Sequence, residues 1–75
     1  MNFRPGKFYK HENSKEAIVE VISIRRSGET CTVLNVSWWT PGYRIGSDTI
    51  TVKHADETKW TQTTYDKEKT HKRWG

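Results

Sequence analysis

Two runs of strand-forming residues, Ala17–Arg26 and Thr30–Trp39, are separated only by Ser27-Gly28-Glu29. The first run is β-branched almost throughout, with Ile18, Val19, Val21, Ile22 and Ile24. The second alternates, with Thr32, Leu34, Val36 and Trp38 on one face and Cys31, Val33, Asn35, Ser37 and Trp39 on the other. Side chains of a strand point alternately to its two faces, so this spacing predicts a β-hairpin closed by a three-residue loop containing glycine. In the first run strict alternation places Ile18, Ile22 and Ile24 with Glu20, opposite Val19 and Val21. That half is apolar on both sides and needs cover on both.

The hairpin fixes a relation between two neighbouring tryptophans. Trp38 and Trp39 must point to opposite faces. Following Leu34 and Val36, Trp38 is the expected core member and Trp39 the exposed, ligand-facing one. Thr40-Pro41-Gly42 reads as a type II turn. Short strands are expected at Lys7–Lys10, Tyr43–Ile45 (broken at Gly46), Asp48–His54 and Lys59–Thr63. The ten threonines agree with a β-rich chain. From Thr63 onward no apolar stripe is present, and residues 66–75 read as a short helix or a disordered tail. The expected fold is mainly β. It is a small, strongly bent antiparallel sheet or SH3-like barrel of five or six short strands, in one domain over residues 1–65 with a basic tail over 66–75.

Seventy-five residues allow one small core. Four tryptophans and three tyrosines are more aromatic surface than such a core can bury. Some of these rings are therefore expected at a binding surface. The net charge of +4 is concentrated at the ends. Residues 1–11 hold Arg4, Lys7 and Lys10 with no acid, and residues 66–75 hold Lys67, Lys69, Lys72 and Arg73 against Asp66 and Glu68. Cys31 is the lone cysteine, which excludes an intrachain disulfide and points to a reducing, cytoplasmic setting. No stretch is long and apolar enough for a membrane span.

The motifs of catalysis and metal binding are missing. His11, His54 and His71 lack ligand spacing, and no nucleophile elbow, phosphate loop or dinucleotide fingerprint occurs. The composition instead points to a non-enzymatic binding protein without cofactor. Aromatic rings stack on bases while arginine and lysine hold phosphates. The candidate ligand-binding residues are Trp39, Tyr43, Arg44, Arg25, Arg26, Lys72, Arg73 and Trp74, and the expected ligand is a nucleic acid or nucleotide. Exposed aromatics serve protein interfaces as well, so the alternative is a protein-interaction module that docks on a partner protein or self-assembles as a homo-oligomer.

The opening Phe3-Arg4-Pro5-Gly6-Lys7-Phe8-Tyr9-Lys10-His11 and the closing Trp60, Thr64 and Trp74 resemble the two ends of short accessory proteins encoded by tailed bacteriophages. Here the tail is basic where those proteins end acidic. The resemblance implies an accessory protein acting in the cytoplasm of an infected bacterium. In that setting the expected function is capture of a host nucleotide signal, or, on the alternative, docking on a host protein. The resemblance assigns no site residues.

Overall fold

The computed structural model describes residues 3–65. Five antiparallel strands form one curled, unclosed sheet: β1 (Phe8–His11), β2 (Ile18–Ser27), β3 (Cys31–Thr40), β4 (Tyr43–Lys53) and β5 (Trp60–Thr63). A six-residue 3-10 helix, η1 (His54–Lys59), joins β4 to β5. The spatial order is β4-β3-β2-β1-β5, so β4 and β5 are the two edges. The architecture is the mainly β, strongly bent sheet expected from sequence, left open rather than closed into a barrel. The expected helix or tail over 66–75, with Lys72, Arg73 and Trp74, lies outside the described residues.

Both Pro-Gly pairs make turns that need a left-handed residue. Gly6 has φ 84° and Gly42 has φ 111°, conformations that cost a β-carbon dearly. The first turn is closed by Lys7 N–H donating to the Arg4 carbonyl at 3.2 Å. The second leaves a two-residue loop between β3 and β4, with Thr40 opposite Tyr43.

Three register shifts bend the sheet. Val21 faces Val36 but Ser23 faces Asn35, which leaves Ile22 as an extra residue in β2; Arg25 is a second extra residue. In β4, Arg44 faces Trp39 but Gly46 faces Trp38, so Ile45 is extra. A bulge increases local twist and turns the added side chain away from the pairing. Ile22 and Ile45 are accordingly more than half exposed. The bulges correct two sequence expectations. Ile24 does not share a face with Ile18 and Glu20, because the shift places it opposite Leu34. Gly46 does not break a strand: the expected Tyr43–Ile45 and Asp48–His54 strands are one continuous β4, and the added residue is Ile45.

The core lies on the inner face. Tyr9, Val19, Val21, Leu34, Val36 and Val52 are buried there, with Phe3 closing over them. Tyr9 is fully buried, and its hydroxyl accepts the Arg4 N–H at 2.8 Å. Phe3 meets Tyr9 edge-on at 4.8 Å. Trp38, Ile50 and Trp60 pack against this cluster while remaining partly exposed.

The outer face has a small cluster of its own. Trp39 is only 5% exposed. Its indole N–H donates to Glu20 Oε1 at 3.2 Å, and its ring meets Tyr65 edge-on at 5.3 Å. Tyr65 also packs on Phe8 and donates from its hydroxyl to the Thr40 carbonyl. The two faces assigned to Trp38 and Trp39 from sequence are correct, but the exposed, ligand-facing role given to Trp39 is overturned. The chain after β5 covers it from the outer side, which supplies the second cover that the doubly apolar half of β2 required.

Removing a buried indole from a core typically costs about 3–5 kcal/mol. Trp39→Ala is expected to fall in that range in urea unfolding, and Trp38→Ala to cost less. The opposite order would return Trp38 to the role of main core residue.

Candidate ligand cleft at the open seam of the sheet

Because the sheet curls without closing, its edge strands approach one another and leave a seam. η1 bridges it. An open cleft of about 210 Å³ lies there, lined by Trp38, Trp60, His11, Lys53, Lys59 and Asp56 with Ile50–Val52 of β4. Trp38 lines this cleft with Ile50–Val52, and its cross-strand neighbour in β4 is Gly46, which has no side chain. Trp60 opens β5, with its inner side against Phe3 (ring centroids 6.1 Å apart) and His11 (4.9 Å). His11 Nδ1 accepts the Asn13 N–H at 3.1 Å, which holds the ring in place beside Trp60.

The polar groups at the rim are lightly tied. Lys59 pairs with Asp56 at 3.3 Å, and both side chains are nearly half exposed, so the pair contributes little to stability. Lys53 is exposed at the end of β4. Trp38 Nε1–H donates to Asp48 Oδ2 at 3.3 Å. The volume is below the roughly 300–1,000 Å³ of typical small-molecule pockets. It suits one ring system whose polar remainder stays at the rim beside the lysines.

The residues singled out from sequence fall elsewhere. Tyr43 and Arg44 are both exposed beside the Pro41-Gly42 turn, but pairing with Thr40 and Trp39 sets their side chains on opposite faces. The Arg44 guanidinium donates to the hydroxyls of Ser37 and Ser47. Arg25 and Arg26 sit at the opposite end of the sheet, where Arg26 faces Val33. Six residues of β3 separate Val33 from Trp39, about 20 Å at the strand rise, so the two arginine groups do not converge on one small ligand. Sequence reasoning missed Trp38, Trp60, His11, Lys53 and Lys59. The surplus of aromatic surface was the readable signal, but it did not say which rings were surplus.

Among the described residues no group of three or more His, Cys, Asp or Glu side chains is arranged to hold a metal ion. No helix among them is long and apolar enough to cross a membrane. No protein-family model, curated protein or solved structure matches the chain.

The assignment of surplus rings can be read from fluorescence. In a Trp74→Phe background, Trp38→Phe and Trp60→Phe should each remove emission that acrylamide quenches readily. Trp39→Phe should remove emission that resists quenching. Equal quenching of all three would contradict the burial described above.

Proposed function

We propose that this chain is a small non-enzymatic binding module whose seam cleft takes the aromatic base of a nucleotide or nucleic acid. The observation that carries the reading is the pairing of two half-buried indoles, Trp38 and Trp60, with Lys53 and Lys59 at the rim of one open cleft. A π-face favours a flat aromatic ligand, and an adjacent ammonium favours a phosphate attached to it. The cleft is small and open, which fits capture better than chemistry: an acid–base pair working inside it would lack the desolvation that splits carboxyl pKa values. The resemblance of the two ends to phage-encoded accessory proteins supplies a setting. The ligand would then be a host nucleotide signal or nucleic acid in the bacterial cytoplasm.

The test is titration with AMP, GMP, CMP, UMP and a mixed-sequence DNA 12-mer at low salt, followed by tryptophan emission. Losing one stacking ring is typically worth about 1–3 kcal/mol per base, so Trp60→Ala should weaken binding by roughly tenfold or more. Asp56→Ala removes the carboxylate that lines the cleft and should tighten binding by up to about fivefold, while shifting stability by less than about 1 kcal/mol. Absence of binding to every one of these ligands would end the reading.

The edge strand β4 supports a second reading, a protein-interaction module. Tyr43 and Ile45, both more than half exposed, lie on an edge whose unpaired backbone can accept another strand. On that reading Tyr43→Ser combined with Ile45→Ser dissociates a homo-oligomer or a complex in sedimentation. The loss would show little salt dependence and no effect on nucleotide titrations.

A further inference from the structure

The outer face of β2–β4 has a chemical character that the cleft alone does not use. Cross-strand pairing places Arg26 with Val33 and Thr51, Ser23 with Asn35 and Thr49, and Ser37 with Ser47. Asn35 Nδ2 donates to Ser23 Oγ at 2.9 Å, and the Thr49 hydroxyl donates to Asn35 Oδ1 at 3.2 Å. Arg44 closes the row, anchored on the two serine hydroxyls. The face is thus a line of hydroxyls and an amide with a guanidinium near each end.

One exposed carboxylate borders this row: Asp48 lines a shallow groove together with Asn35, Ser47 and Thr49. Glu20 belongs to the outer face but is buried and accepts the Trp39 indole N–H. Glu12 and Glu16 lie in the β1–β2 connection, Glu29 at the hairpin tip, and Asp56 and Glu57 in η1. Asp48 is the nearest. Its two oxygens accept from Thr49 N–H at 2.8 Å and from Trp38 Nε1–H at 3.3 Å. Among the described residues the ion pair is Lys59–Asp56, so Arg26 and Arg44 are anchored or free without carboxylate partners. Apart from Asp48, the row offers hydroxyl, amide and guanidinium donors, which are complementary to a chain of acceptor-only phosphates.

The row is also continuous with the cleft. Thr51 and Lys53 lie on the outer face by register, opposite Val33 and Cys31, and both also line the cleft. Thr49 and Arg44 lie further along the same edge strand. From Lys53 to Arg44 is nine residues along β4, about 25–30 Å at the strand rise. A mononucleotide cannot span that distance. A single-stranded segment can, within the roughly 4–16 nucleotides that small β-domains cover.

We infer that the ligand of this site is single-stranded nucleic acid, with one base in the seam cleft and its phosphate backbone running over the β4 edge along Lys53, Thr49 and Arg44, with Arg26 alongside. The inference rests on the base-binding reading of the cleft and adds that the ligand is a polymer. The row binds phosphates without reading sequence, so affinity should rise with length and depend little on base order.

The experiment compares AMP, a dA4 tetramer and a dA12 oligomer between 20 and 200 mM salt, using wild type, Arg26→Ala, Arg44→Ala and Trp60→Ala. Unfolding midpoints confirm that the exposed arginine variants remain folded. The dA12 oligomer should bind at least tenfold tighter than AMP. Each arginine variant should weaken dA12 several-fold and lower the slope of log affinity against log salt by about 0.7, the loss of one phosphate contact on a single strand. Neither should alter AMP binding, whereas Trp60→Ala should weaken both ligands. AMP binding without a gain in length, or arginine variants that leave dA12 unchanged, would overturn the backbone track and leave the cleft reading standing. Arginine-dependent dA12 binding that ignores Trp60→Ala would keep the track and remove the base from the cleft. Equal binding of poly-glutamate in place of dA12 would overturn the track as a nucleic-acid surface, and no binding of any ligand would overturn both.

Discussion

A two-residue turn fixes the register of the strands it joins, and here that register is one residue wrong for the core. With Thr40 opposite Tyr43 and no irregularity, Ile45 would face Trp38, Ile50 would face Val33 and Val52 would face Cys31. Ile50 and Val52 would then lie on the outer face. The bulge at Ile45 shifts everything beyond it by one. Ile50 meets Leu34, Val52 meets Thr32, and Val52 enters the core. Because the side-chain period of a strand is two, no smaller adjustment could bring them inside. The same shift exchanges Ile45 for Gly46 beside Trp38. One local insertion therefore brings Ile50 and Val52 to the inner face and sets a glycine opposite Trp38.

The other end of the same constraint is Trp39. Placing one indole of the pair on the inner face forces the next onto the outer face, where the sheet has no second layer. Tyr65, two residues beyond β5, covers it and is itself packed against Phe8 of β1. The indole N–H in turn meets Glu20, a carboxylate that would be costly to bury without a donor. The hairpin, the first strand and the end of the described chain are thus joined through one ring. Away from this corner, along Ser23, Asn35 and Thr49, the outer face is a polar surface.

The hairpin, the turn at Pro41-Gly42, the opposite faces of Trp38 and Trp39 and the mainly β, strongly bent sheet were legible because each follows from local chemistry: alternation, β-branching and the conformational freedom of glycine. Burial was not legible, because it depends on what arrives from elsewhere. Phe3 and Tyr65 lie outside the strands yet cap the two faces. Bulges are equally silent in the sequence: nothing in Ile22, Arg25 or Ile45 marks them as extra residues, yet they decide that Ile24 changes face and that a glycine stands opposite Trp38. The arginines were recognised as donors, but their separation along β3 appears only once the strand pairing is known.

Trp38 and Trp60 serve the core and the cleft at once. Each indole presses one side on buried residues and turns the other to the seam. For a domain of this size the core cannot release either ring without losing a large share of a stability that is marginal to begin with. A ligand that stacks on the open sides therefore also braces the two edge strands against opening, since it binds the folded state and not the unfolded one. The unclosed seam is then the least stabilised part of the free sheet and the part a ligand would stabilise most. On the proposed base-binding reading, the place where the sheet fails to close is where an aromatic ligand would gain both indoles.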